Sequence, residues 1–401
     1  MINTMLRQLL LLLMLLITCS FNSLSVAVAA ETFESLEDRP KVLFIYPAEK
    51  GFPFWDSQVD FAQALCDVLG FELEVVYSPR QYRNRFAADI FIKDIVEDNE
   101  NKPALVISSF WVGSEELVLD FLEEQKIHAI TINSDITPKQ FNKLGYPREN
   151  YPHWLAHLSP NDTLAGQQLG EAVLHESRLQ KCPQLNCQVN IFGITGLRYS
   201  AVSEQRAKGL REAIKKDAKS KLLNLVYGKW DGDVVKDMTE TILHRHKDLD
   251  AFWVASDIMA YGIYEKLKEL DITLPENTVV GSMDWSPASV NLIKEGKMAV
   301  NLGGHFMEAG WAILLYYDYL NNKDFLDETG PVIKTQMSIL NKGNVEQIGR
   351  FLANPIWSKK ILKSYSKYLN PARETYNLNP REIIFDQLNV QDEASEIDST
   401  R

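Results

Sequence analysis

After residue 40 the chain alternates between apolar β-type runs and amphipathic helical runs, and this alternation limits the possible folds more than any other feature. Lys41–Tyr46 (K-V-L-F-I-Y) reads as a buried strand. A helix over 56–69 follows, with Phe61, Ala62, Leu65, Val68 and Leu69 on one face and Gly70 as its stop. The series continues as strand 71–77, a helix around 86–97, strand 104–108, helix 114–125 and strand 128–132. The segment 138–153, rich in Pro, Asn, Tyr and Gly, reads as a connection. A second series follows it: helix 163–176, strand 188–193, helix 203–217, strand 222–227, helix 233–246, strand 250–254, helix 258–270, strand 278–282 and a strand at 298–302. Short strand–helix–strand links make right-handed crossovers, so each series predicts a parallel sheet covered by helices on both faces. The expected class is α/β with two similar units.

The length, 401 residues, suits two such units, and 45% hydrophobic with 24% charged residues is an ordinary globular balance. A formal charge of −12 repels phosphate backbones and speaks against a nucleic-acid partner. At the N-terminus, Arg7 precedes the apolar run Leu10–Ile17, and A-V-A-A closes the segment at Ala27–Ala30. This is the pattern of a cleavable export signal over 1–30, and it predicts an exported protein. Cys19 sits in a sequence that only loosely resembles a lipoprotein cleavage box. In an oxidising compartment Cys182 and Cys187 can close a small loop as a disulfide; a metal pair is the alternative, less favoured because no His or second Cys pair lies nearby. Cys66, among apolar helix positions, reads as a buried thiol. The polar stretch 391–401 reads as a disordered tail.

Ligands of open parallel sheets bind beyond the carboxyl ends of the strands. The segments there are P-A-E-K-G-F-P-F-W-D, S-F-W-V-G-S, N-S-D, I-T-G-L-R-Y-S, G-K-W-D-G-D, A-S-D, M-D-W-S-P and G-G-H-F-M. Aromatic rings recur beside carboxylates, amides and hydroxyls. Such rings stack on the weakly polar faces of a sugar while the polar groups hold its rim.

At these strand ends the sequence resembles the type I periplasmic binding proteins, the group of the ribose- and galactose-binding proteins, over about residues 40–340. F-P-F-W (52–55) resembles the signature after the family's first strand, and S-P-N-D-T-L-A-G (159–166) its hinge segment. R-A-K-G-L (206–210), A-S-D-I-M-A-Y-G (255–262) and V-V-G-S-M-D-W-S-P (279–287) resemble three further motifs in order. G-G-H-F-M-E-A-G-W-A (303–312) looks like a sugar-binding-like subgroup with some kinship to signal-binding receptors. Ser256 stands where the family often has Asn, and Glu204 near a ligand Arg of the ribose type. The resemblance implies two Rossmann-like lobes joined by a three-segment hinge. The N-terminal lobe would hold 40–159 plus 303–336, and the C-terminal lobe 160–302 plus 337–390, including a helical extension around 345–369.

Eleven residues are candidate ligand contacts. Phe54 and Trp55 open a helix, where packing alone can explain them, yet two rings at a sheet's carboxyl edge favour the ligand. Trp111 sits in an equivalent loop. Asn133 is a turn residue or, by the resemblance, a partner for sugar hydroxyls. Trp230 is a loop aromatic that the resemblance sets against the sugar. Asp257 is a helix cap or a ligand residue, with Ser256 as the alternative facing the cleft. Asp284 and Trp285 match the family's hydroxyl-binding Asp and its neighbour. Arg206 is structural or reaches the ligand, with Arg198 as a competitor, and His305 lies at a crossing between the lobes, next to glycines that allow close backbone approach.

No G-x-S-x-G, H-E-x-x-H or P-loop is present, so no enzyme is expected, and neither a cofactor nor a metal. The expected role is capture of a small polar ligand, a carbohydrate, in the cleft between the lobes, for delivery to an ABC importer. The alternative is a sensing subunit for a membrane histidine kinase or cyclase. The expected state is a monomer.

Overall fold

β1 (Lys41–Tyr46) is apolar at every position from Val42 and is buried throughout that stretch, so it belongs inside a sheet covered on both faces. The computed structural model describes residues 39–84, 86–98, 101–111, 113–182, 184–274 and 278–399, with side chains as far as Asp392. The expected export signal at 1–30, Cys19 and residues 400–401 lie outside them.

The first sheet joins β1 to β2 (Glu72–Tyr77), β3 (Leu105–Ser108), β4 (His128–Ile132), β5 (Trp154–Pro160) and β11 (Val332–Thr335) in the order β11-β5-β4-β3-β1-β2. The second joins β6 (Val189–Thr195), β7 (Ser220–Tyr227), β8 (Ala251–Val254), β9 (Val279–Met283), β10 (Val300–Gly303) and β12 (Ser338–Asn341) in the matching order β12-β10-β9-β8-β6-β7. Every described pair is parallel except β10 with β12. In each sheet the chain leaves its first strand to one side and then returns to the other, which leaves a crevice at the strand ends where ligands settle.

The helices are α1 (Pro53–Leu69), α2 (Ala88–Glu97), α3 (Glu115–Glu124), α4 (Pro138–Leu144), α5 (Asp162–Lys181), α6 (Ala201–Lys216) and α7 (Gly232–Arg245). They continue as α8 (Asp257–Glu269), α9 (Pro287–Lys294), α10 (Glu308–Leu320), α11 (Leu326–Thr329), α12 (Val345–Ala353), α13 (Lys359–Ser364) and α14 (Pro380–Ser399). α1 starts earlier than its apolar stripe suggests, because Pro53 has a pre-set φ for the first turn; Phe54 and Trp55 are therefore helical. It stops at Gly70, whose φ of 82° puts it in the left-handed region. α4 lies in the stretch read as a plain connection. It forms because Thr137 and Gln140 make a reciprocal capping box ahead of Pro138.

The chain passes between the sheets three times: from β5 into α5 at 160–162, from β10 into α10 at 303–308, and from β11 into β12 at 335–338. All three crossings leave from the same edge of each sheet, so β2 and β7 lie at the far edge from the hinge.

The segment after 337 was expected to belong wholly to the second lobe, and the structure divides it. α12 packs on α9, whereas α13 packs on α1 of the first lobe and α14 touches both α12 and α13. Trp357 makes the link, its ring lying 4.5 Å from that of Phe61 in α1 and 4.8 Å from that of Phe351 in α12. Asn354 and Pro355 break the helical run expected over 345–369. The expected tail from 391 is helical as far as Ser399, continuing a helix whose Ile383, Ile384 and Leu388 are buried. The Cys182 and Cys187 sulfurs are bonded as a disulfide between α5 and β6. Cys66 is a buried free thiol whose pKa burial pushes up.

Candidate functional site

A cavity of about 350 Å³ opens where the strand ends of the two sheets face each other. Loops after β1, β2, β3 and β4 line it from one side, and loops after β6, β7, β8, β9 and β10 from the other.

The first wall is aromatic, and Tyr46 sets its shape. The hydroxyl of Tyr46 donates to Asp56 Oδ1 at 2.8 Å and accepts from the Phe52 backbone N–H at 3.1 Å. Those two bonds pin the loop 47–52 against the start of α1, so that Phe52, Phe54 and Trp55 line the cavity. Phe54 and Trp55 meet edge to face at 5.1 Å, and Phe54 also packs on the imidazole of His305 at 4.6 Å. Trp111 follows β3; its carbonyl accepts from Ser114 Oγ at 2.8 Å. Asn133 follows β4 with a φ of 67°, and its N–H donates to Leu158 O at 2.9 Å.

The second wall carries Trp230. Its indole lies so close over Gly196 that a methyl group there would sit 1.9 Å from the ring, so only glycine fits beneath it. Lys229 and Trp230 both have left-handed backbone, with φ values of 60° and 58°. Asp284 and Trp285 do as well, at 119° and 59°. Non-glycine residues seldom take this conformation, and it costs about 1–3 kcal/mol each where it is imposed. Both pairs sit in loops that line and support the cavity.

At the floor lies a buried charged cluster. Arg206 Nε donates to Asp162 Oδ1 at 2.7 Å and Nη1 donates to Ala255 O at 2.7 Å. Nη2 lies 3.3 Å from His305 Nε2, and Asp284 Oδ1 lies 3.9 Å from Nη1 and 3.6 Å from His305 Nε2. Burial and the Arg206 charge hold the His305 pKa well below the ordinary imidazole range, so the ring is neutral. With Nε2 accepting from Arg206, the proton sits on Nδ1, a buried atom with no partner among the described residues. Ser256 Oγ, also on the cavity wall, is likewise buried and unpartnered. Burial, reinforced by the neighbouring Asp257, pushes the Asp284 carboxyl well above the usual carboxylate range, against the pull of Arg206. The polar side chains of Asn133, Ser256, Asp284 and His305 on the lining form a recognition surface for polar groups brought in by a ligand.

Of the eleven residues singled out in the sequence, nine line this one cavity: Phe54, Trp55, Trp111, Asn133, Arg206, Trp230, Ser256, Asp284 and His305. Asp257 and Trp285 do not. Asp257 points away into the protein, where its carboxylate accepts from the Ser286 N–H at 2.9 Å and Ser286 Oγ at 2.6 Å, and also from Ser282 and Asn301. It holds the β9–α9 loop from behind while its own N–H donates to Asp284 Oδ2 at 3.2 Å. Trp285 turns inward because its backbone N–H donates to Asn301 Oδ1 at 2.9 Å, and its ring lies over Gly303, leaving 2% of the residue exposed. Arg198, the competitor to Arg206, stacks its guanidinium on Tyr227 at 5.1 Å.

The structure adds Phe52, Arg83, Ser109, Phe110, Ser134, Leu197, Ser200, Val202 and Lys229 to the lining. Phe52, Ser109, Phe110, Ser134, Leu197, Ser200 and Lys229 stood within the strand-end segments already singled out. Arg83 lies in the loop after β2, where no aromatic motif drew attention. Beside the cavity the lobes also meet directly: Gln205 Nε2 of α6 donates to Asp135 Oδ2 at 2.6 Å.

Comparison with known proteins agrees with this geometry. Residues 42–324 match the family model described as periplasmic binding protein domain. The D-allose-binding periplasmic protein of Escherichia coli (strain K12) is 23% identical over 260 residues, covering 64% of this chain and 77% of that protein. A periplasmic sugar-binding protein from Pseudomonas fluorescens shares the fold with a TM-score of 0.71 at 21% identity, over 86% of this chain and 99% of that one. An ABC transporter periplasmic solute-binding protein from Actinobacillus succinogenes 130z, solved with bound D-allose, superposes with a TM-score of 0.63 at 15% identity, over 77% and 99% of the two chains. The family match spans most of the chain and includes both lobes and the cavity between them, and the chain belongs to the periplasmic binding protein domain family.

Proposed function

We propose that this chain is a periplasmic solute-binding protein that captures a small carbohydrate between its lobes and delivers it to an ABC importer, without catalysing a reaction. The observation that carries the reading is the cavity: about 350 Å³, with aromatic rings on both walls and Asn133, Ser256, Asp284 and His305 among its polar lining. That volume is at the small end of ligand sites and suits a monosaccharide. Rings from Trp55 and Trp230 would stack on the sugar while Asn133, Ser256, Asp284 and His305 would meet its hydroxyls.

Binding without chemistry is supported by the lining itself. Glycoside hydrolysis needs two carboxyl groups flanking the bond, and Asp284 is the one carboxylate among the described lining residues. The relatives named above are binding proteins, and the ABC transporter context of the Actinobacillus succinogenes protein supports delivery over signalling. The export signal read at 1–30 agrees with a periplasmic site of action.

The test is a calorimetric and thermal-shift screen of monosaccharides against the parent, Trp55→Ala and Trp230→Ala. At least one sugar should bind the parent, and each variant should lose about 10-fold or more in affinity for it, the value of one aromatic contact. Affinities unchanged in both variants would refute the assignment of the cavity.

A further inference from the structure

Resting on the carbohydrate reading, the charges at the cavity mouth narrow the ligand class. The chain carries 54 acidic against 42 basic residues, yet the described lining reverses that balance: Arg83, Arg206 and Lys229 against Asp284 alone. Arg206 is already neutralised from behind by Asp162 at 2.7 Å. Arg83 and Lys229 remain.

They occupy equivalent places in the two lobes. Arg83 follows β2 and Lys229 follows β7, the edge strands of their sheets, and both strands lie at the edge opposite the hinge crossings. Each lobe therefore presents one cation at the open side of the cleft. Neither is spent on a strong internal pair. Lys229 is exposed, has no acidic partner among the described residues, and is held in place by a left-handed backbone at φ 60°. Arg83 is anchored by Nε donating to Ser78 O at 2.8 Å. Its Nη2 lies 3.3 Å from the carboxylate of Glu49, which is 76% exposed, but makes no hydrogen bond and is itself buried. Glu49 is thus a loosely held, solvent-facing counter-ion that a ligand can displace.

Closing a two-lobed clamp brings these cations toward each other. A neutral ligand leaves that approach repulsive, whereas an anionic group between them turns it into two attractive contacts that exist only in the closed state. We propose that the ligand is an acidic monosaccharide, carrying one carboxylate or phosphate group that Arg83 and Lys229 take from opposite lobes. The rings and the floor then hold the sugar body.

Isothermal titration calorimetry with the purified exported chain tests this, using D-galacturonate and D-glucose 6-phosphate beside neutral D-galactose and D-glucose. The expected result is at least one charged sugar binding 10-fold or more tighter than its neutral counterpart, the range of one charge-assisted hydrogen bond. The preferred arm separates carboxylate from phosphate. In the double variant Arg83→Gln/Lys229→Gln, with its unaltered melting curve as the folding control, that preference should collapse to about onefold. Rising NaCl should weaken the charged sugar and leave the neutral one unaffected. Neutral hexoses binding as tightly as the charged ones, or a preference that survives the double variant, would overturn the acidic ligand while leaving the carbohydrate reading intact. Failure of all four sugars to bind would count against both.

Discussion

Replacing Asp257 by Ala separates the two roles offered for this residue, ligand contact and structural anchor. The native carboxylate is buried and accepts from the Ser286 N–H, Ser286 Oγ, Ser282 Oγ and Asn301 Nδ2. Three of these donors have somewhere else to go. Ser286 Oγ also bonds Tyr261, Asn301 Nδ2 donates to Ser282 Oγ at 2.7 Å, and a hydroxyl can rotate. The Ser286 backbone N–H cannot move, and leaving it buried without an acceptor costs about 1–3 kcal/mol. The lost charge-assisted bonds from the other donors add to this, while relief from burying a carboxylate, whose pKa burial raises, subtracts. The net expectation is about 2–4 kcal/mol, or a fall in Tm of roughly 3–5 °C for a chain of this size. Differential scanning calorimetry measures the fall, and titration with the identified sugar measures binding. Asp257→Ala should melt early yet still take up ligand, because the side chain does not reach the cavity. A variant that melts within about 1 °C of the parent and binds no sugar would refute the argument and return Asp257 to the ligand site.

Two further outcomes follow from the same geometry. The native pKa of Asp284 is raised, so its charged form is disfavoured in the folded state, and its contribution to stability falls as pH rises above the unfolded value near 4. Asp284→Asn should therefore melt higher than the ligand-free parent at pH 7, with a gap that widens upward from about pH 4 and levels off above the raised native pKa; a gap that shrinks with pH contradicts this. The same variant should bind sugar more weakly, a cost of stability borne for function. Removing the Cys182–Cys187 cross-link with Cys182→Ser/Cys187→Ser frees a short loop in the unfolded chain and should lower the unfolding free energy by about 2 kcal/mol. Reductant should shift the urea midpoint of the parent and leave that of the variant in place.

The order of elements was legible because burial on both faces of a parallel strand demands a run of apolar residues, and a covering helix demands a stripe. Val42–Tyr46 and the Phe61–Leu69 face carry those signals without help from the rest of the chain. Strand-end position then drew attention to Phe54, Trp55, Trp230 and Asp284, since a parallel sheet presents its loops to a ligand at one end only. Capping chemistry was legible too, but short: Thr137 and Gln140 specify α4 within four residues, and a reading by apolar periodicity passes over it.

What the sequence determined alone is the set of local preferences: which segments are strands, which are helices, and which loops end up at the carboxyl edges of the sheets. What only the tertiary structure decided is the direction in which each loop side chain points. Asp257 and Trp285 sit in the same motifs as Ser256 and Asp284, yet Ser282, Ser286 and Asn301 draw Asp257 inward and Asn301 draws Trp285 inward, which leaves the second pair on the cavity wall. Trp357 likewise joins the C-terminal segment to both lobes because Phe61 and Phe351 meet there, a coincidence of three dimensions. Periodicity records the burial of an element, which repeats along the chain; the partner of a single polar or aromatic side chain depends on residues brought together by folding, and no local pattern encodes it.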